Sequence, residues 1–300
     1  MATLRDIRNR IKGVKNTSKI TSAMKMVSTA KLKRAQTAIE SARPYFEKLD
    51  MILTNLTTGL SGYSNPMLRQ VTTVKNILLI VVTADRGLCG SFNSNLLKEA
   101  VVTINEKFKV EFPDAEIKVV PVGKKAVSFF KKRHFEVVAE FQGIFSPLQF
   151  ETAQEIVESF EFGFIDGKFD RVYILGNEFI NVMKQEPRLR SILPMDATEA
   201  LTIGKSKHTD AVAVDYIFEP DKKSILDDLL PKLVNIKVWR SLLESNAAEH
   251  AARRFAMDNA TRNAKELIQS LELQYNKARQ ASITTEMLEI VGGAEALKSN

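Results

Sequence analysis

The stretch Ala84-Asp85-Arg86-Gly87-Leu88-Cys89-Gly90 lies between an aliphatic run and a helical pattern. Strand-to-helix loops at such places cradle phosphates. Binding a phosphate with backbone amides calls for G-x-G-x-x-G, or for the Lys-Ser/Thr pair of a Walker loop. Gly87 and Gly90 complete neither pattern, so the loop reads as a tight turn that needs small residues. Cys89 as a nucleophile would need an imidazole or cation to hold its thiolate, and it reads instead as a packed, inert thiol. His134, His208 and His250 are too far apart in sequence for metal-ligand spacing, and His250 falls on an apolar stripe. Carboxylates are numerous, but no pair has the spacing of an acid–base couple. The chemistry-bearing residues therefore predict no catalytic residue, no metal and no cofactor.

The elements that would carry these residues are of two kinds. From Leu4 a heptad stripe runs through Ile7, Ile11, Val14, Leu32, Ala35, Ile39, Phe46, Leu49, Leu53 and Leu56, polar only between Ser18 and Ser28. A second stripe runs from Ile225 through Leu229, Ile236, Trp239, Leu243, Met257, Ala264, Leu267, Leu271 and Leu288, with Asn246, His250 and Arg253 as polar breaks. Apolar residues sustained every 3.5 positions are the mark of a helix–helix seam. The first helix is predicted over Thr3 to Thr58, kinked near Arg43 by Pro44. The second starts after Pro220 with Asp221 as its cap and ends at Gly292-Gly293. At 1.5 Å per residue these helices span ~84 and ~105 Å, so the second overshoots its partner by ~20 Å. Its overhang carries Ile283, Met287, Leu288, Ile290 and Val291, an aggregation liability unless something sheathes it.

Between the helices, Asn76–Thr83, Glu116–Val122, Phe135–Glu140 and Arg171–Asn181 read as strands. They alternate with helices over 94–109, 124–132 and 148–160. Ile192–Leu193, Val212–Val214 and Tyr216–Phe218 are candidate short strands leading back to the shaft. The alternation implies a parallel, Rossmann-like sheet. The expected fold is thus α/β: a long antiparallel two-helix coiled coil, 1–58 with 221–300, on a Rossmann-like base over 59–220.

Of 300 residues, 44% are hydrophobic and 26% charged, the profile of a soluble globular chain. No apolar run approaches the ~20 residues of a membrane span. One cysteine suits a reducing compartment. The opening MATLRDIRNR has no apolar h-region, which predicts a cytosolic or peripherally bound protein. The net charge is +7, yet residues 1–35 hold ten basic residues against Asp6 alone, a local surplus of +9. So dense a run calls for an acidic partner, either nucleic acid or an acidic protein surface. Residues 1–44 contain no Phe, Tyr or Trp for base stacking, which counts against single-strand binding but not against phosphate contacts.

Four segments carry a family resemblance. Tyr275 to Ala294 reads YNKARQASITTEMLEIVGGA and resembles the signature of the rotary ATP synthase gamma subunit, with Ile-Thr-x-Glu, an acidic residue and Gly-Ala at the family spacing. Ile7 through Val27, Asp85 through Gly90 and Tyr216-Ile217-Phe218-Glu219-Pro220 look like the same family. The resemblance implies a central rotor whose coiled coil stands inside a ring of alpha and beta subunits. Its base would meet the epsilon subunit and the membrane ring of c subunits. It implies that Arg8 and Lys12 of the basic helix face acidic segments of the beta subunits, and that Met24, Arg253, Arg279, Gln280, Thr284 and Glu286 touch the catalytic ring. Tyr216, Phe218 and Glu219 would face the c ring or epsilon. Phe218 stands where many relatives have tyrosine, and Cys89 alone cannot form the regulatory disulfide of plastid relatives. Within that family the absence of a transit peptide favours a bacterial protein at the cytoplasmic face of the inner membrane, peripheral to it, over a processed organellar chain, with no nucleic acid as partner. A basic coiled-coil protein that binds nucleic acid is the competing expectation.

Overall fold

A computed structural model describes residues 3–57, 63–195 and 218–298. Helix α1 spans Leu4–Thr57 and helix α6 spans Lys222–Lys298. Between them lie strands β1 (Asn76–Val82), β2 (Glu116–Val122), β3 (Arg171–Phe179) and β4 (Gln185–Leu193). Helices α2 (Phe92–Val102), α4 (Lys124–Lys131) and α5 (Phe150–Ile165) connect them, with α2 passing through a π-helical segment, Thr103–Phe108, into the single turn α3 (Lys109–Glu111). The α/β class, long helices at both ends and a central sheet with parallel strands, is the architecture expected from the sequence.

The chain forms two compact units, residues 29–253 and residues 1–28 with 254–300. In the second unit α1 and α6 run antiparallel, and each tie between them can be read as a rung. Arg8 donates to the Tyr275 hydroxyl at 2.5 Å, Lys15 pairs with Glu272 at 2.7 Å, and Lys25 pairs with Asp258 at 2.5 Å. Thr21 and Thr261 share a hydroxyl–hydroxyl bond of 2.8 Å beneath them. Met257, Ala264 and Leu271 are buried in this seam. The polar interval Ser18–Ser28 is thus partly explained, because Thr21 and Lys25 meet polar partners on α6. Thr3 and Asp6 close the start of α1 reciprocally, the Thr3 N–H donating to the Asp6 carboxylate and the Asp6 N–H to Thr3 Oγ1.

In the unit of residues 29–253 the sheet order is β2-β1-β3-β4. β1 pairs in parallel with both β2 and β3, while β4 is antiparallel to β3. The aliphatic run of β1 has no polar alternation because both of its faces are covered. Leu78, Ile80 and Val82 face a core built from α1 (Leu49, Leu53, Leu56), α5 and the start of α6. Ile77, Leu79 and Val81 face α2 and α4 through Leu96, Phe108 and Phe130. At the exit of β2, Gly123 has φ +90°, and a Cβ there would lie 2.2 Å from the Thr83 carbonyl, so this turn requires glycine.

Four expectations change. Phe135–Glu140 is not a strand; this region touches β2 only through isolated parallel bridges, Val119 with Val137 and Val122 with Phe141. β4 is longer than the Ile192–Leu193 expected, and its direction departs from an all-parallel sheet. As the sequence led one to expect, α1 and α6 each run as one helix through an internal proline, Pro44 and Pro231. α6 also runs past Gly292-Gly293 to Lys298, since neither glycine takes the left-handed conformation that caps a helix. Asp221 does cap α6, its carboxylate accepting from the Lys223 and Ser224 N–H groups. The expected strands Val212–Val214 and Tyr216–Phe218 fall, apart from Phe218 itself, outside the described residues.

Candidate functional site

The loop after β1 is held on three sides. The Asn93 side chain accepts from the Ala84 N–H at 2.9 Å. The Asp85 carboxylate accepts from the N–H groups of Lys124 (3.0 Å) and Gly143 (2.8 Å), so the chain's own anion occupies the start of α4. On the third side Arg253 of α6 donates to the carbonyls of Gly87 and Arg86 and pairs with Glu249 at 2.5 Å. Cys89 packs with Ala84 and Phe92 against Ala248 of α6. Burial pushes its thiol pKa up, which Arg253 only partly offsets, and Asn93 donates to its sulfur at 3.2 Å. Leu88, at φ +63°, is the exposed tip of the loop.

Arg253 was expected on a surface facing another subunit. In the structure it is 8% exposed and its guanidinium is engaged within the chain. Several other polar residues of α6 before it are buried as well, among leucines and alanines: Ser241, Glu244, Ser245, Glu249 and His250 all lie inside. Burial pushes the Glu249 carboxyl up despite its arginine partner. His250 is brought down to about 4 by burial, with Lys31 and Arg253 adding to the effect.

One level further along α6, Glu244 receives Arg190 of β4 at 2.7 Å and Arg240 at 2.9 Å. Glu178 of β3 receives Arg188 and Arg190, at 3.0 and 3.3 Å. The reading from sequence missed this ladder. Its signals were the alternation of Arg188 and Arg190 on a strand, and the i,i+4 spacing of Arg240 and Glu244. A cavity of about 510 Å³ lies beside it, bordered by these ion-paired arginines and by Phe46, Leu49, Leu233 and Ile236.

The remaining expected contact residues are distributed rather than gathered. On the unit of residues 1–28 and 254–300, Arg8, Lys12, Arg279, Gln280, Thr284 and Glu286 are exposed and Met24 is half-buried. Arg8 is already bonded to Tyr275, and Thr284 Oγ1 donates back to the Gln280 carbonyl at 2.9 Å. Ile20, Met26 and Val27 are exposed on α1, and Ile283, Met287, Leu288, Ile290 and Val291 on the tip of α6. In the other unit Phe218 is half-buried against the core, with Lys222 Nζ 4.9 Å from its ring centre, and Glu219 is exposed. Tyr216 lies outside the described residues. In the same unit as Phe218, Tyr63 and Asn65 both donate to Asp227, at 2.6 and 2.7 Å. Burial and the Asp227 carboxylate raise the Tyr63 hydroxyl to about 12.

The sequence model of a family described as ATP synthase matches residues 3–297. The chain is 46% identical over 305 residues to the ATP synthase gamma chain of Chloroherpeton thalassium, covering all of both chains. It is 44% identical over 300 residues to that of Chlorobium phaeobacteroides, covering 99% of each. The chain belongs to the ATP synthase gamma chain family. Chains of solved structures share this fold. A chain of the Euglena gracilis mitochondrial ATP synthase rotor superposes with a TM-score of 0.63 at 21% identity, over 93% of this chain and 98% of that one. A chain of the Tetrahymena thermophila central stalk and c-ring structure gives 0.58 at 24% identity, over 80% and 99%. Membership of the gamma family makes the chain a subunit of an enzyme complex.

Proposed function

We propose that this gamma chain is the central-stalk rotor of a proton-translocating ATP synthase, a non-catalytic subunit that couples rotation of a c ring to changes at the catalytic beta subunits. The observation that carries the reading is the full-length family match over 3–297. It is supported by two end helices tied into an antiparallel pair by side chains from opposite ends of the sequence. The chain is read as three working segments: shaft helices over 1–58 and 221–300, and a base over 59–220. Alpha and beta subunits would meet Arg8, Lys12, Met24, Arg279, Gln280, Thr284 and Glu286, while Phe218, Glu219 and Tyr216 would meet the c ring or epsilon. Arg253, buried and engaged with the loop after β1, acts within the chain.

No helix among the described residues is long and apolar enough to cross a membrane. With bacterial relatives at 44–46% identity, that supports a peripheral position at the cytoplasmic face of the inner membrane. The nucleic-acid alternative is not supported. Arg8, Lys15 and Lys25, which would have served as phosphate contacts, are engaged with α6. Asp85 at the start of α4 speaks against a bound nucleotide in the loop, because a phosphate there would meet a carboxylate. Affinity purification of the tagged chain from its own cells is the test. Alpha, beta and epsilon subunits should coelute in one complex with ATPase activity. A chain recovered alone, or with nucleic acid, would overturn the reading.

A further inference from the structure

The latch between α6 and the loop after β1 has a chemistry that secondary structure does not require. Loop carbonyls can be satisfied by water, because Arg86 and Leu88 beside them are exposed. Here they are instead met by a guanidinium from a residue more than 160 positions away, buried and charge-paired to Glu249 one turn before it. Small side chains allow the approach: Ala248 and Ala252 of α6 lie against Ala84, Cys89 and Phe92. The other two anchors, Asn93 to Ala84 and Asp85 to Lys124 and Gly143, tie the loop to the base. Only Arg253 bonds the loop to α6, among the hydrogen bonds of the described residues. The loop is therefore fastened at one side to the sheet and at the other to the long helix.

We infer that Arg253 is a positioning residue for rotary coupling: it latches the loop 85–90 to α6, so that twist applied along α6 reaches the base without slip and the tip Arg86–Leu88 is held at a fixed bearing. This rests on the rotor function proposed above. A planar guanidinium suits the task, since it holds two carbonyls and a carboxylate at once, and a lysine ammonium cannot reproduce that fork. Charged hydrogen bonds of this kind set an opening equilibrium at least about tenfold in favour of the closed loop. Cys89 is a built-in reporter, because it is buried against Ala248 of the same helix and is the chain's one cysteine.

The experiment uses the whole membrane-bound complex carrying Arg253→Gln, with Arg253→Lys as the conservative variant. Two quantities are read on assembled complexes: the rate of maleimide labelling at Cys89, located by mass spectrometry, and the number of protons pumped per ATP hydrolysed. Arg253→Gln should label Cys89 at least about tenfold faster and lower the pumping-to-hydrolysis ratio, with Arg253→Lys between it and the unaltered chain. Faster labelling with an unchanged ratio would reduce Arg253 to a packing residue and overturn the inference, as would unchanged labelling. If Arg253→Gln does not assemble, Glu249→Gln, which keeps the shape and weakens the clamp by one charge, must raise labelling and lower the ratio in the same sense. Failure of the rotor reading itself shows separately, as an unaltered chain that joins no complex.

Discussion

At the scale of single residues, the buried polar stretch of α6 makes stability depend on pH in a defined direction. His250 is 8% exposed, and its imidazole is held near pKa 4 by burial, Lys31 and Arg253, against about 6.5 in an unfolded chain. Between these values the unfolded state binds the extra proton and the folded state does not. Stability from this site is fully present above about pH 6.5 and is lost as pH falls towards 4, by up to ~3 kcal/mol. Asp227, Asp258 and Glu136, with carboxyls held low by their hydrogen-bond donors, add losses of their own at the acid end. Those losses persist in His250→Gln, so the difference between the two proteins isolates the imidazole. Melting temperatures measured from pH 7.5 to 4 should fall more steeply for the unaltered chain; parallel curves would mean that His250 is protonated in the fold. The residue scale is also where the sequence was least legible. Asn246, His250 and Arg253 were visible as breaks in a stripe, but a break does not say what meets it. Their neighbours Lys31, Gly87 and Arg86 come from distant parts of the chain, and nothing local to Arg253 marks it as buried.

At the scale of elements, legibility followed burial. β1, β2 and β3 were readable because strands covered on both faces become unbroken aliphatic runs. β4, QEPRLRSIL, hid because it is a polar edge strand whose arginines Arg188 and Arg190 pair with Glu178 and Glu244, so its run is not aliphatic. The two long helices were plain from their heptads, and the Asp221 cap from the residue type alone. Their alanine-lined interval carries a testable demand. Ala247 is fully buried beside Leu32, Ala35 and Ala251, so α1 and α6 approach closely there. Ala247→Leu adds volume where no space exists and should cost ~1–3 kcal/mol. Ala281→Leu, on an exposed part of the same helix, should stay within about 0.5 kcal/mol. Thermal melts of both variants followed by circular dichroism decide it, and equal melting temperatures would show that the seam at Ala247 is loose.

At the scale of the whole molecule, the isolated chain should be poorly behaved. Met287, Leu288, Ile290 and Val291 are all more than half exposed on the last turns of α6. Such a tip drives self-association when no sheath covers it. Met287→Ser with Leu288→Ser should shift the purified chain towards monomer in sedimentation velocity while leaving its helix content intact; an unchanged size distribution would place the sticky surface elsewhere. The ties within the helix pair have a further consequence, one of timing. Arg8 and Tyr275 are 267 positions apart, and Lys15 and Glu272 are 257 apart. A ribosome adding ~5–20 residues per second therefore finishes α1 roughly 10–50 s before the residues that tie its first turns exist. During that interval the nascent chain carries an amphipathic helix with a strongly basic face and no mate. The part of the protein made first is among the last to be housed, and throughout synthesis its custody falls to whatever waits at the ribosome exit.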